Sequence, residues 1–247
     1  MCDHFFLLTY YVLRIILKVF QMAQPEKIAV EKFVEEIVSR VRELHPHNTA
    51  TLRNLRKEFS KRLAKSSPQE VVDIALRLLE FSGMDYRFIA YELVCRHRAA
   101  LQSLRANKLK RLGRGIDNWG AVDAFACYLS GPAWREKQIS DSLILEWARS
   151  KDRWWRRAAV VSTVALNNKA RGGRGDTPRT LRVCRMLVND RDDMVVKALS
   201  WALRELAKRD VKAARDFLRQ YEDKLAARVV REVRNKLKTG LKNPRQK

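Results

Sequence analysis

The chain has 247 residues, 46% of them hydrophobic, which is enough for a buried core and excludes a disordered polycation. Its 51 Lys and Arg residues outnumber its 28 Asp and Glu residues, and the resulting formal net charge of +23 is spread along the chain. This excess favours a polyanionic partner, most often nucleic acid, over a merely solubilised surface or an anionic membrane.

The four cysteines lie far apart and have no metal-ligand spacing. We therefore expect a reducing compartment, no metal and no cofactor. Cys127 and Cys184 fall within apolar helical patterns, which favours packing in the core over a nucleophilic role.

The N-terminal segment is apolar from residue 5 to residue 13 but then carries Arg14 and Lys18. It is a poor signal peptide and too short for a membrane span. A soluble helical pattern starts after Met22, so we interpret residues 1–21 as an extension from a mis-assigned start codon and residues 22–247 as a single domain. The competing interpretation is an amphipathic packing or interfacial helix.

Only nine Gly and six Pro interrupt long helical patterns, which predicts an all-α protein. In one of the first of these patterns Ser67 can cap a helix, Pro68 suits its first turn, and Gly83 ends it. Further helices are predicted at about 84–99, 117–130, 139–149, 152–166, 177–188, 192–208, 211–220 and 223–238.

Two segments resemble each other, "DRWWRRAAVVSTVAL" from Asp152 and "RDDMVVKALSWALREL" from Arg191. Arg157 and Lys197 occupy equivalent places forty residues apart, a period typical of HEAT-like helical pairs. An α-solenoid of such pairs would align basic residues from successive repeats on one concave surface.

The second of these segments predicts a basic helix face. Lys197, Trp201, Arg204 and Lys208 follow one another at helical spacing, away from the apolar stripe. Trp201 is therefore either an edge residue that closes the core or a contact for a sugar or base.

Trp119 and Asp123 stand four residues apart and so project from the same helix face. The aspartate could equally be a solvated residue, a cap, or the partner of Arg153, Arg156 or Arg157 in a salt bridge. The loop "NNKARGGRGD", residues 167–176, looks flexible and compatible with a phosphate, although its glycines could simply join two helices.

Together these motifs make the chain from about 26 to 244 resemble the DNA alkylation repair glycosylases built from HEAT-like repeats. The resemblance is carried by "NWGAVDAFACYLSG", "DRWWRRAAVVSTVAL", "DDMVVKALSWALREL" and "VRNKLKTGLKNP". It implies an α-solenoid with a concave basic cleft, in which Trp119, Asp123 and Trp201 act on the damaged nucleotide and Arg157 grips a phosphate. We expect further DNA contacts from Arg153, Lys197, Arg204 and Lys208. The chain departs from the family pattern at Gly120, where an acidic residue is common.

The resemblance implies hydrolysis of the N-glycosidic bond of N3-methyladenine and N7-methylguanine in duplex DNA, without base flipping. Asp123 would stabilise the oxocarbenium-like state and orient water. We expect a monomer with no membrane partner, in the cytoplasm and associated with a bacterial nucleoid. The main rival is a non-catalytic HEAT-like scaffold that binds nucleic acid or protein. A helix-hairpin-helix glycosylase, suggested by "LGRGID" at 112–117, ranks low because its turn matches poorly.

Overall fold

The protein is helical throughout the part that the structure, a computed structural model, describes, namely residues 30–244. The hypothesis about residues 1–21 lies outside these residues. The helices are α1 (30–42), α2 (Thr49–Arg62), α3 (Pro68–Leu78), α4 (Met84–Arg96), α5 (Arg98–Gln102), α6 (Ala106–Leu112), α7 (Trp119–Phe125), α8 (Gly131–Arg135), α9 (Asp141–Ala148), α10 (Arg153–Asn167), α11 (Thr177–Met186), α12 (Asp193–Leu206), α13 (Val211–Tyr221) and α14 (Ala227–Thr239). The all-α prediction is confirmed. None of the described helices is both long and apolar enough to cross a membrane.

Side-chain caps explain where many of these helices begin. The Ser67 hydroxyl accepts from the Glu70 amide while the Glu70 carboxylate accepts from the Ser67 amide, and Pro68 occupies the first turn. Carboxylate or amide caps also precede α2, α7, α10, α11, α12 and α13. The predicted cap at Ser67 is therefore present, but α3 ends at Leu78 and Gly83 instead precedes α4 with a φ of 126°.

The helices form two layers. One layer is a row in which α2, α4, α7, α10, α12 and α14 each contact the next, and the second layer places α3, α9, α11 and α13 against members of this row. Helix α10 lies at the centre, and every residue from 157 to 167 is buried. This succession of helix pairs is the arrangement expected of an α-solenoid of HEAT-like repeats.

The internal similarity has a structural counterpart. Helices α10 and α12 are neighbours in the row, and Arg157 and Lys197 are each the fifth residue of their helix. Each helix is capped by an aspartate, with Asp152 accepting from the Trp154 amide at 2.8 Å and Asp192 from the Met194 amide at 2.9 Å.

The segment predicted as one helix over 117–130 is interrupted by a π-helical turn at Ala126–Ser130, after which α8 continues. The Gly131 amide donates to the Ala126 carbonyl, five residues back. Pro132 gives the reason, because in a regular α-helix its ring would meet the carbonyl of Tyr128, and the wider turn relieves this clash. As a result, Asp123 on α7 and Tyr128 in the π-helical turn lie on two parts of one continuous helical segment that differ in winding.

The loop at 167–176 is held by hydrogen bonds from two arginines. Arg135 donates to the Arg171 carbonyl at 2.8 Å, and Arg209 donates to the carbonyls of Asn167 and Gly173, each at 2.7 Å. Gly172 adopts the left-handed conformation with a φ of 78°. The loop does join two helices, but the structure gives it a defined shape.

Candidate functional site

Trp119 is the first residue of α7 and stands out from the surface. Asn118 caps the helix by accepting from the Ala121 amide at 2.9 Å, which fixes the direction in which Trp119 leaves the chain. The residue is 61% exposed, an unusual environment for so large an aromatic side chain. Gly120 follows in the first turn, where a Cβ atom would lie 2.8 Å from the Met84 Cε atom. Glycine at this position therefore leaves room for Met84. Helix α7 forms even though its second residue is Gly120.

One turn further along α7, the Asp123 carboxylate is paired with Arg157 of α10. Arg157 Nε donates to Asp123 Oδ1 at 2.9 Å, and Nη2 donates to Oδ2 at 2.8 Å, a bidentate pair. Arg157 Nη1 donates to the Met194 carbonyl at the start of α12. The Arg157 side chain is only 6% exposed, whereas that of Asp123 is 19% exposed.

This arrangement gives Arg157 a different role from the expected phosphate contact. Its guanidinium is buried and ties α7, α10 and α12 together at the carboxylate. Of the three arginines considered as partners for Asp123, Arg157 forms the salt bridge. Arg156 instead pairs with Asp190 at 2.7 Å, and Arg153 lies over the Trp154 ring and 3.6 Å from Asp192.

The electrostatic setting of Asp123 reflects two opposing influences. Burial raises the pKa of its carboxyl above the ordinary value, while the Arg157 hydrogen bonds and charge and the more distant Arg171 charge act to lower it. The carboxylate thus sits in a poorly solvated position in which Arg157 favours its ionised form. Because each carboxylate oxygen can accept more than one hydrogen bond, the pair leaves lone pairs on Asp123 for a water molecule.

Trp201 lies two turns beyond Met194 on α12 and is partly buried at the edge of the core. It lines an open cavity of about 470 Å³ together with Lys197, Arg204, Arg228, Arg231, Glu232, Lys242 and Asn243. Trp201 therefore packs on the edge of the core, as one of the two alternatives predicted, and it also lines a basic cavity; a contact with a sugar or base stays a prediction.

The remaining predicted basic residues are each paired with an acid. Lys197 is 2.6 Å from Asp193, Lys208 is 2.6 Å from Glu205, and Arg204 Nε is 3.9 Å from Glu232. Burial lowers the pKa of Arg204, and the two glutamates oppose this. Lys197 and Lys208 remain about half exposed, so both ammonium groups can also reach a ligand.

The sequence reasoning missed a group of residues next to Asp123. Tyr128, in the π-helical turn, lies under the Arg171 guanidinium, with the Arg171 Cζ atom 5.1 Å from the ring centroid. Arg53 of α2 is near the same tyrosine: burial lowers the pKa of its guanidinium, but Glu92 and the Tyr128 hydroxyl raise it to a net value above the ordinary one. Pro132 was the available signal, because a proline late in a helical pattern points to a change of winding near residue 128.

The positions of Cys127 and Cys184 agree with the prediction from the sequence. Cys127 and Cys184 are buried, as predicted, and burial raises the pKa of each thiol to about 12. Such thiols stay protonated at neutral pH and are poor nucleophiles. Within residues 30–244, no three His, Cys, Asp or Glu side chains are grouped so that they could hold a metal ion.

Comparison with known proteins shows the family to which the chain belongs. A search among curated proteins found no match. The family model described as DNA alkylation repair enzyme matches residues 21–237, which includes α7, α10 and α12 with the Asp123–Arg157 pair and Trp201. The match spans most of the chain, and the protein therefore belongs to the DNA alkylation repair enzyme family.

Proposed function

We propose that the protein is a DNA glycosylase that hydrolyses the N-glycosidic bond of cationic alkylated purines, with N3-methyladenine and N7-methylguanine as substrates. The observation that carries this proposal is the Asp123 carboxylate, partly desolvated and held by Arg157, on the same helix face as the exposed ring of Trp119. Family membership supports an enzyme of DNA alkylation repair, and this carboxylate supports the particular reaction.

The chemistry requires a negative charge next to a developing positive one. An alkylated purine of this class is already a cationic leaving group, so bond cleavage moves positive charge from the base to the deoxyribose. A fixed carboxylate near the sugar stabilises that oxocarbenium-like state, and it costs little reorganisation because Arg157 has already oriented it. A lone pair left on Asp123 accepts a hydrogen bond from the water that attacks the sugar.

The two tryptophans position the sugar. Trp119 is mostly exposed and stands at the surface, and Trp201 opens onto a basic cavity, so both can press on a deoxyribose from outside the duplex. This placement supports reaction on a lesion that stays within the duplex and needs no deep base pocket. Lys197, Arg204 and Lys208 provide positive charge for the flanking phosphates.

The direct experiment is incubation of the purified protein with methylated duplex DNA, followed by measurement of free methylpurines. Release of N7-methylguanine and N3-methyladenine, lost in the Asp123→Asn variant, is the expected result. Duplex binding without release of any base would favour the rival function, a non-catalytic HEAT-like scaffold.

A further inference from the structure

The surface beside the proposed reaction site carries a second cationic cluster, formed by Arg53, Tyr128 and Arg171. It lies on three separate elements: α2, the π-helical turn and the loop between α10 and α11. The cluster is defined by side chains to which the proposed hydrolysis assigns no role.

The charges of this cluster are not balanced by the acids around it. None of the described acidic side chains forms an ion pair with Arg171, whose guanidinium instead lies over the Tyr128 ring. On the other side, Glu92 is shared, since Arg56 Nε contacts one of its oxygens at 2.9 Å and Arg53 Nε contacts the other at 3.3 Å. Arg53 and Arg56 thus share one carboxylate and Arg171 pairs with none, which leaves an excess of positive charge.

The two outer arginines remain accessible. The Arg53 side chain is about half exposed, and Glu92 engages its Nε atom alone, so the terminal nitrogens can donate to a ligand. Arg171 is partly exposed, and its side-chain donors have no acceptor among the described residues. Planar guanidinium groups with free donors match the oxygens of a phosphate.

Arg171 is also held in place by the backbone around it. Arg135 binds the Arg171 carbonyl, and Arg209 binds the carbonyls of Asn167 and Gly173. A Cβ atom at Gly173 would lie 2.7 Å from the Asn168 nitrogen, so the chain here can close this tightly only with glycine. Ordering this loop in advance reduces the entropy cost of binding through Arg171.

We propose that Arg171 and Arg53, both near Tyr128, bind a phosphodiester of the DNA backbone next to the damaged nucleotide. The proposal rests on the proposed function, because it places that phosphate beside the sugar on which Asp123 acts. Tyr128, over which Arg171 lies, follows Asp123 by five residues in the same run of helix, so the phosphate belongs to the nucleotides nearest the lesion. In this arrangement the Tyr128 ring orients the Arg171 guanidinium.

The test is the salt dependence of binding to undamaged duplex DNA, for the full chain and its Arg171→Ala and Arg171→Gln variants. Each phosphate contact contributes about 0.9 to the slope of log affinity against log salt concentration, so we expect both variants to lower the slope by roughly that amount. The matched control is Arg174→Ala. Arg174 lies in the same loop, is 73% exposed and pairs with Glu136, so its replacement removes the same charge and should leave the slope unchanged.

An unchanged slope in both Arg171 variants, or an equal reduction in Arg174→Ala, would overturn the assignment. Thermal unfolding of each variant checks that the fold is retained, which we expect because Arg171 contributes to the shape of the loop through its backbone amide and carbonyl and not through its side chain. The binding assay does not depend on base release. If the Arg171 variants lower the slope but the parent protein releases no methylpurine, the phosphate site is kept and the glycosylase proposal is rejected. If the parent releases methylpurine but the Arg171 variants leave the slope unchanged, the glycosylase proposal is kept and the phosphate site is rejected.

Discussion

Replacement of Asp123 by Asn is the most informative perturbation of the proposed site. A unit positive charge about 4 Å from the carboxylate is stabilised by about 4 kcal/mol at an effective dielectric constant near 20. Because Arg157 already occupies one side of the carboxylate, we take the cation to approach from the other side, where the Arg157 charge is about 8 Å away and opposes this by about 2 kcal/mol. The intact pair therefore contributes about 2 kcal/mol of net attraction, whereas Asn leaves only the repulsion from Arg157.

The difference between the two proteins is thus at most about 4 kcal/mol. Part of it is already present in the ground state, because the substrate is itself a cation, and only the part that grows in the transition state affects the rate. We expect single-turnover excision of N7-methylguanine by Asp123→Asn to fall by about a hundredfold, equivalent to about 3 kcal/mol. Affinity for an uncleavable duplex should not fall, since the change removes a negative charge from a surface that faces a polyanion.

The loss of the salt bridge itself needs a control, because removal of one partner from a buried pair can cost about 3 to 5 kcal/mol of stability. Asp190→Asn supplies it. The Asp190–Arg156 pair is similarly buried, with side chains 10% and 19% exposed, and it involves the arginine next to Arg157. Excision per folded molecule should stay at the parental level in this control. A parental rate in Asp123→Asn, or an equal loss in Asp190→Asn, would refute the proposed role of Asp123.

Three further predictions follow from the same geometry. The proposed mechanism requires the ionised carboxylate of Asp123, so excision should be lost as pH falls through its raised pKa. Arg157→Met removes the hydrogen bonds and the charge that do most to lower this pKa against the effect of burial, so the acid limb of the rate profile should move to higher pH, and an unmoved limb would contradict this. Trp119→Ala should retain the parental melting temperature, because the ring is mostly exposed, but should lower single-turnover excision at saturating DNA through poorer positioning of the sugar; parental excision would remove Trp119 from the site. Gly131→Ala should destabilise the fold by about 1 to 3 kcal/mol in denaturant unfolding, since its Cβ would lie 2.5 Å from that of Ala165, and an unchanged midpoint would show that α8 and α10 can separate.

Much of the fold could be predicted from local sequence pattern. Helix periodicity, capping residues such as Ser67 and Asp152, and the forty-residue similarity of α10 and α12 are properties of contiguous segments, and each has its counterpart in the structure. The pairing of Trp119 with Asp123 on one face is likewise a matter of helix geometry alone.

The partners of the charged residues were decided by tertiary structure. Three arginines near residue 155 were equivalent candidates for Asp123, and only the packing of α10 between α7 and α12 brings Arg157 to it and turns Arg156 towards Asp190. The physical reason is that a salt bridge depends on atoms 34 residues apart in the chain, whose distance is set by helix packing and not by spacing along the sequence. The same holds for Arg171, which lies over the Tyr128 ring only because the winding of one turn and the folding of a distant loop place them together.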